Sequence, residues 1–157
     1  MVICDFIRKN QISLFGDMEF KILIAEDNVE TALLYKMILE PRSHVVYTTS
    51  DGEECLKTFK QTHFEYSTLS YENKQQYNNL GVKAFDLVIL DIEIPKRNGI
   101  DVAKEICVIR PNQRILFLSS NIDKLANSIL YVKNNIEAME KPSTNDEIVA
   151  KVEQKGK

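Results

Sequence analysis

The chain has 157 residues, 44% of them hydrophobic and 27% charged, with a net charge of −3 and a pI near 5.5. The length and composition predict one globular domain with a full core. The net charge is not that of a nucleic-acid-binding protein, which needs a basic surface. No apolar run in the chain approaches the roughly 20 residues of a membrane span. The first residues, MVICDFIRKNQISLFG, lack the apolar core of a signal peptide, so we expect a cytoplasmic protein.

Strand and helix patterns alternate five times along the chain. Short apolar runs bounded by turn residues predict strands at 20–25, 44–49, 87–90, 114–118 and 136–140. Apolar residues at helical spacing predict helices at 29–39, 53–61, 100–109, 123–132 and 143–152. This alternation predicts an α/β fold in which a doubly wound parallel sheet carries helices on both faces.

Two segments fall outside this alternation. Residues 1–19 carry no strong period, and we interpret them as an N-terminal extension, either a short helix or a flexible tail. Residues 62–83 are polar and far longer than a usual helix-to-strand connection, which indicates an insertion. The insertion could present Tyr66, Tyr71 and Tyr77 to a partner, but a solvated extension of the second helix is the favoured interpretation.

The three cysteines, Cys4, Cys55 and Cys107, are scattered and lack metal-ligand spacing. An odd number of isolated cysteines in a chain without a signal peptide predicts reduced, structural thiols rather than disulfides.

Chemically active side chains follow four of the predicted strands. They are Glu26 and Asp27, Asp91, Ser119, and Lys141. Because the carboxyl ends of parallel strands meet at one edge of the sheet, we expect these groups to converge. Crowded carboxylates repel one another unless a cation lies among them, which predicts a site for Mg²⁺. The lysine and serine would complement a phosphoryl group transferred to a carboxylate.

Four motifs resemble those of the receiver domain of two-component response regulators. They are KILIAEDN, LDIEIPKRNG with the family's Asp-x-x-apolar-Pro-x-x-x-Gly pattern, FLSS ending at Ser120, and Lys141-Pro142. The resemblance covers residues 20–154 in the right order and spacing. It implies a stand-alone receiver domain of flavodoxin-like fold, with strand order 2-1-3-4-5.

The resemblance also implies functional roles. Asp91 would be the phosphoacceptor for a histidine kinase or phosphotransfer protein, while Lys141 and Ser119 would bind phosphoryl oxygens. Direct Mg²⁺ ligands would be Asp27, Asp91 and the backbone carbonyl of Glu93, with Glu26 acting through water. Lys141-Pro142 would be a cis peptide. Such a protein would catalyse only its own phosphorylation and dephosphorylation, act on an unidentified downstream protein, and be a monomer or weak dimer.

Several positions depart from the commonest family pattern. The first acid is Glu26 rather than aspartate, and Ala138 occupies the position of the usual aromatic switch residue. With alanine at this position, the chain lacks the aromatic side chain whose inward movement would relay phosphorylation. Glu93 and Asn121 occupy the two variable positions that, in this family, tune how fast water removes the phosphoryl group.

Three alternatives remain open at this point. A phosphorylation-independent interaction module could keep the same fold and use the insertion and the surface around Ala138. A Mg²⁺-dependent phosphatase would need Asp-x-Asp where this chain has Asp91-Ile92-Glu93. A flavin-binding protein of this fold would place an anionic phosphate against the cluster of acids, which is unfavourable.

Overall fold

The computed structural model describes residues 19–70, 73–74, 83–128 and 133–154. The strands are β1 (Lys21–Ala25), β2 (Val45–Thr49), β3 (Leu87–Leu90), β4 (Arg114–Ser119) and β5 (Ile136–Glu140). The helices are α1 (Val29–Leu39), α2 (Gly52–Ser67), α3 (Gly99–Ile109), α4 (Asp123–Ala126) and α5 (Asn145–Glu153), with a 3₁₀ turn at Glu40–Arg42. All strand pairs are parallel, in the order β2-β1-β3-β4-β5. The predicted flavodoxin-like sheet is confirmed.

The central strands explain the apolar runs in the sequence. Every residue of β1 and β3 is buried, because helices cover both faces of the sheet. One core contains residues of α2 and α3, including Phe59 and Ile106, while the other contains residues of α1 and α5, including Tyr35 and Val152. No helix within the described ranges is long and apolar enough to cross a membrane.

Polar side chains fix the starts of the long helices at the carboxyl edge of the sheet. The Asn28 side chain accepts a hydrogen bond from the backbone N–H of Thr31 at 2.8 Å, so Asn28 is the N-cap of α1. Thr144 and Glu147 form a capping box at the start of α5. These caps set where each loop after a strand must turn into a helix.

Helix α1 is apolar on two sides. Tyr35 and Leu39 are buried against the sheet, whereas Val29, Leu33 and Met37 are 78%, 56% and 63% exposed. The exposed residues are spaced four apart, so they share one face and form an apolar stripe on the surface. This stripe begins beside the carboxyl edge of the sheet.

Helix α2 is longer than its sequence pattern predicts. It continues to Ser67, so the start of the segment interpreted as an insertion is an extension of the second helix. Tyr66 lies in this extension, while Tyr71 and Tyr77 lie outside the described residues. Cys55 of α2 and Cys107 of α3 are free and buried, and burial raises the pKa of the Cys55 thiol to about 12. Cys4 also lies outside the described residues.

Helix α4 is shorter than predicted. The sequence predicts a helix over 123–132, but α4 ends at Ala126, with a turn at Asn127. Its backbone bonds, such as Leu125 N–H to the Ile122 carbonyl, span three residues and form a tight turn. Asn127 and Ser128 are poor helix formers because their side chains compete for backbone hydrogen bonds. Residues 129–132 lie outside the described residues.

A buried histidine joins the start of the sheet to the end of the last helix. His44 is 4% exposed, its Nδ1 accepts the backbone N–H of Phe20 at 3.2 Å, and its ring stacks on Phe20. In the neutral ring the proton therefore lies on Nε2, which faces Glu153 at 3.3 Å. Arg42 also donates to this carboxylate. Burial lowers the pKa of His44, although the Glu153 carboxylate acts in the opposite direction.

This arrangement makes stability depend on pH. Because the pKa of His44 is lower in the folded chain than in the unfolded one, unfolding takes up a proton, and the free energy of unfolding falls as the pH drops below about 6.5. Urea titrations between pH 7.5 and 5.5 should show this fall in the wild type and a smaller one in His44→Gln. His63→Gln is the matched control. An equal pH dependence in His44→Gln and the wild type would show that His44 is not the group responsible.

Candidate functional site

The loops that carry the predicted site residues are tied together just beyond the strand ends. The backbone N–H of Asp91 donates to the Ala25 carbonyl at 3.0 Å, and that of Lys141 donates to the Ser119 carbonyl at 3.1 Å. These bonds continue the ladder of the parallel sheet past the last strand residues. The side chains that follow β1, β3, β4 and β5 are thereby held at one edge, as the sequence predicts.

Lys141 contacts two of the carboxylates at this edge. Its ammonium donates to Glu26 Oε2 at 2.6 Å and to Asp91 Oδ2 at 2.7 Å. The Glu26 side chain is 4% exposed and that of Asp91 is 14% exposed, so both carboxylates are largely removed from water. Removing one partner from such a site leaves an uncompensated charge, so Lys141 supplies the counter-charge for both carboxylates.

The other oxygen of Asp91 is held by neutral donors. Ser119, which is 1% exposed, donates its hydroxyl to Asp91 Oδ1 at 2.7 Å, and the backbone N–H of Glu93 donates to the same oxygen at 3.2 Å. Asp91 is therefore a carboxylate with both oxygens oriented by hydrogen bonds. Such a group is positioned to act as a nucleophile, with an ammonium and a hydroxyl beside it to stabilise developing negative charge.

The electrostatics keep these groups charged. Burial disfavours the carboxylate form of Asp91, but hydrogen bonds from Lys141, Ser119 and the Glu93 N–H outweigh it and lower the pKa of Asp91. Burial also disfavours the ammonium of Lys141, but Asp91 and Glu26 outweigh it and raise the pKa of Lys141. Asp91 is thus an unprotonated carboxylate at neutral pH.

Two backbone features lie at this edge of the sheet. Lys141-Pro142 is a cis peptide, as predicted. A Cβ atom on Gly99 would lie 2.1 Å from the backbone oxygen of Asp91, and the Gly99 N–H donates to the Ile92 carbonyl at 2.9 Å. Only glycine allows the start of α3 to approach the Asp91 backbone this closely.

This geometry agrees with the comparisons with known proteins. The family profile of the response regulator receiver domain matches residues 22–153. The chain belongs to this family. The receiver domain is 26% identical over 132 residues to the cell cycle transcriptional regulator CtrA of Caulobacter vibrioides, matching 84% of this chain and 48% of CtrA. It is 27% identical over 135 residues to the alkaline phosphatase synthesis transcriptional regulatory protein PhoP of Bacillus subtilis, matching 86% of this chain and 48% of PhoP.

The receiver domain therefore spans about half the length of these curated relatives. Among solved structures, it resembles the response regulator TrrA of Thermotoga maritima in complex with Mg²⁺-BeF, with a TM-score of 0.64, 26% identity, and coverage of 85% of this chain and 96% of TrrA. It also resembles a receiver domain protein of Clostridium thermocellum, with a TM-score of 0.62, 28% identity, and coverage of 82% and 87% of the two chains.

The third acid predicted at this edge, Asp27, differs from Glu26 and Asp91 in its surroundings. Asp27 is exposed in the bend after β1, and within the described residues no hydrogen bond or ion pair engages its side chain. In that same part of the chain, no three His, Cys, Asp or Glu side chains meet closely enough to hold a metal ion. The crowding of three carboxylates expected from the sequence is therefore seen for two, which Lys141 bridges.

The donor set nevertheless fits magnesium. Mg²⁺ binds through one or two carboxylates and keeps several waters, so it needs no closed cage of protein ligands. Glu26 and Asp91 supply hard oxygens at the sheet edge, and Asp27 and the backbone carbonyl of Glu93 lie in the loops that follow β1 and β3.

Two positions singled out in the sequence have different surroundings. Ala138 is exposed on the edge strand β5, in register with Phe117 of β4. Asn121 donates its side-chain N–H to Glu93 Oε2 at 2.6 Å, so the two variable positions contact each other.

Sequence reasoning missed Lys124 of α4, which pairs with Glu93. Nothing in the sequence distinguishes this lysine from an ordinary surface lysine.

Proposed function

We propose that Asp91 accepts a phosphoryl group from the phosphohistidine of a histidine kinase or phosphotransfer protein. The observation that supports it best is the Lys141 ammonium held between Asp91 and Glu26, with the Ser119 hydroxyl on the other oxygen of Asp91. A nucleophilic carboxylate flanked by a cation and a hydroxyl complements an incoming phosphoryl group. Membership of the receiver family supports the same reaction.

In the proposed reaction, a carboxylate oxygen of Asp91 bonds to phosphorus while the bond from phosphorus to the donor's imidazole nitrogen breaks. The imidazole leaves with the electron pair of that bond, and Asp91 becomes an acyl phosphate. Lys141 then pairs with a phosphoryl oxygen in place of the Asp91 carboxylate, and the Ser119 hydroxyl donates to another. Lys141 and Ser119 already contact Asp91 before the transfer, so they need little rearrangement to reach the phosphoryl oxygens.

Magnesium is expected to assist this transfer. Asp27, Asp91 and the backbone carbonyl of Glu93 would hold the ion directly and Glu26 would hold it through water, and the bound ion would supply positive charge to the phosphoryl oxygens. The Glu26 carboxylate is already fixed by Lys141 and by the Asn28 backbone N–H at 3.2 Å, so it can hold a water without moving.

Acetyl phosphate provides the direct test, because it donates a phosphoryl group without a partner protein. After incubation with acetyl phosphate and Mg²⁺, intact-protein mass should show one added phosphoryl group in the wild type and in the control Asp123→Asn, whose side chain is exposed. Asp91→Asn and wild type in chelator should show none. Equal labelling of Asp91→Asn, or an unlabelled wild type, would contradict the proposal.

A second function is favoured by one surface. The exposed apolar stripe of Val29, Leu33 and Met37, together with Ala138 at the usual switch position, suits an interaction module that works without phosphorylation. A binding measurement on Asp91→Asn distinguishes the two functions. Binding to a partner that is unchanged by Asp91→Asn, in the presence and absence of acetyl phosphate, would favour the interaction module.

A further inference from the structure

Four hydrogen bonds close a ring at Asp91 Oδ1. Ser119 Oγ and the Glu93 N–H donate to this oxygen, at 2.7 Å and 3.2 Å. The Asn121 backbone N–H donates to Ser119 Oγ at 3.3 Å, and the Asn121 side chain donates to Glu93 Oε2 at 2.6 Å. The loop after β3 and the loop after β4 are thus joined through the side chain that accepts the phosphoryl group in the proposed function.

The Lys124 ammonium adds a link from α4 to this ring. It pairs with Glu93 Oε1, while Asn121 occupies Oε2, so both oxygens of the Glu93 carboxylate are engaged away from Asp91. The Lys124 and Glu93 side chains are 54% and 52% exposed, which places the pair at the solvent side of the site. The Glu93 carboxylate is therefore open to water, while the Glu93 backbone N–H contacts Asp91 Oδ1.

We propose that Lys124 is a positioning residue that prolongs the acyl phosphate by holding the Glu93 carboxylate away from the hydrolytic water. This inference rests on the proposed function. In the hydrolysis, the water oxygen bonds to phosphorus, the bond between phosphorus and the Asp91 oxygen breaks, and Asp91 leaves as a carboxylate. The water's protons remain on the released phosphate or pass to solvent. A Glu93 carboxylate freed from Lys124 accepts a hydrogen bond from the attacking water and orients it.

The chain offers a matched control in Lys104. This lysine of α3 is 48% exposed and pairs with Asp101 at 3.1 Å, so it resembles Lys124 in exposure and pairing. Asp101 lies on α3 rather than in the loop after β3, so removing Lys104 leaves the Glu93 carboxylate in place. Exposed ion pairs contribute little energy, and the expected change in lifetime is therefore about threefold.

The experiment follows the decay of the acyl phosphate. Proteins are loaded with acetyl phosphate and Mg²⁺, separated from the donor, and sampled over time by intact mass. Lys124→Met should lose its phosphoryl group about threefold faster than the wild type, whereas Lys124→Arg and Lys104→Met should decay at the wild-type rate. In a Glu93→Gln background, Lys124→Met should have no further effect. A merely structural role for Lys124 would not give this dependence on Glu93.

The outcomes separate the two proposals. A wild type that labels, with Lys124→Met decaying no faster than it, would overturn the role of Lys124 and leave the proposed function standing. Acceleration that persists in the Glu93→Gln background would also overturn this role. A wild type that gains no phosphoryl group would overturn both.

Discussion

Replacing Lys141 with methionine is expected to slow phosphoryl loading from acetyl phosphate about 100-fold, the loss typical of removing one preorganised charged donor. Lys141 bridges Glu26 and Asp91, so the substitution removes the cation that would otherwise pair with the phosphoryl group. Methionine keeps most of the side-chain volume, so the substitution tests the lost charge rather than a lost packing contact. Initial loading rates at fixed Mg²⁺, followed by intact mass, measure the effect.

Magnesium binding provides a second measurement on the same variant. Lys141 competes with a metal ion for the carboxylate oxygens of Glu26 and Asp91, so Lys141→Met should bind Mg²⁺ more tightly in calorimetric titrations. Lys151→Met is the matched control, because Lys151 pairs with Glu137 at 2.9 Å and has a similar exposed fraction of 27%. Equal loading rates for Lys141→Met and Lys151→Met would contradict a role for Lys141 in phosphoryl transfer.

Replacing Gly99 with alanine should be the most damaging single-methyl change near the site. The added Cβ would lie 2.1 Å from the Asp91 backbone oxygen, so either α3 or the loop after β3 must shift. Overpacking of this kind costs about 1–3 kcal/mol of the free energy of unfolding. A shift of about 1 Å at Asp91 should also reduce phosphoryl loading about 100-fold.

Gly52→Ala separates the two effects of the added methyl. Its Cβ would lie 2.0 Å from the Arg97 backbone oxygen, a clash of the same kind in another part of the same loop. Both variants should lose stability in urea titrations, but Gly99→Ala should load more slowly than Gly52→Ala at the same folded fraction. Loading by Gly99→Ala at the wild-type rate would show that Asp91 tolerates the shift.

The sheet and its functional edge could be predicted from the sequence because both depend on local patterns. Strands buried on both faces leave continuous apolar runs, as in 87–90, and the polar residue after each run must lie at the carboxyl edge. The convergence of Asp91, Ser119 and Lys141 at one edge follows from the order of the parallel strands. Element ends were predicted less well, since caps and tight turns at single residues decide them.

The details around the site could not be predicted, because they depend on side-chain geometry between distant segments. The sequence indicates three crowded acids, but it cannot show that Lys141 occupies the space between two of them while Asp27 is exposed. It also cannot show that Lys124 reaches Glu93, or that the apolar residues of α1 divide between core and surface. Periodicity identifies a helix, but packing decides which of its apolar faces is covered.

The most direct test of the account is to locate the phosphoryl group on the chain. After loading with acetyl phosphate and Mg²⁺, borohydride reduces an aspartyl phosphate to homoserine, and peptide mass spectrometry then identifies the modified position. We expect homoserine at position 91 in the wild type and no homoserine in Asp91→Asn. Homoserine at Asp27 or another carboxylate, with Asp91 unmodified, would contradict the assignment of Asp91 as the acceptor.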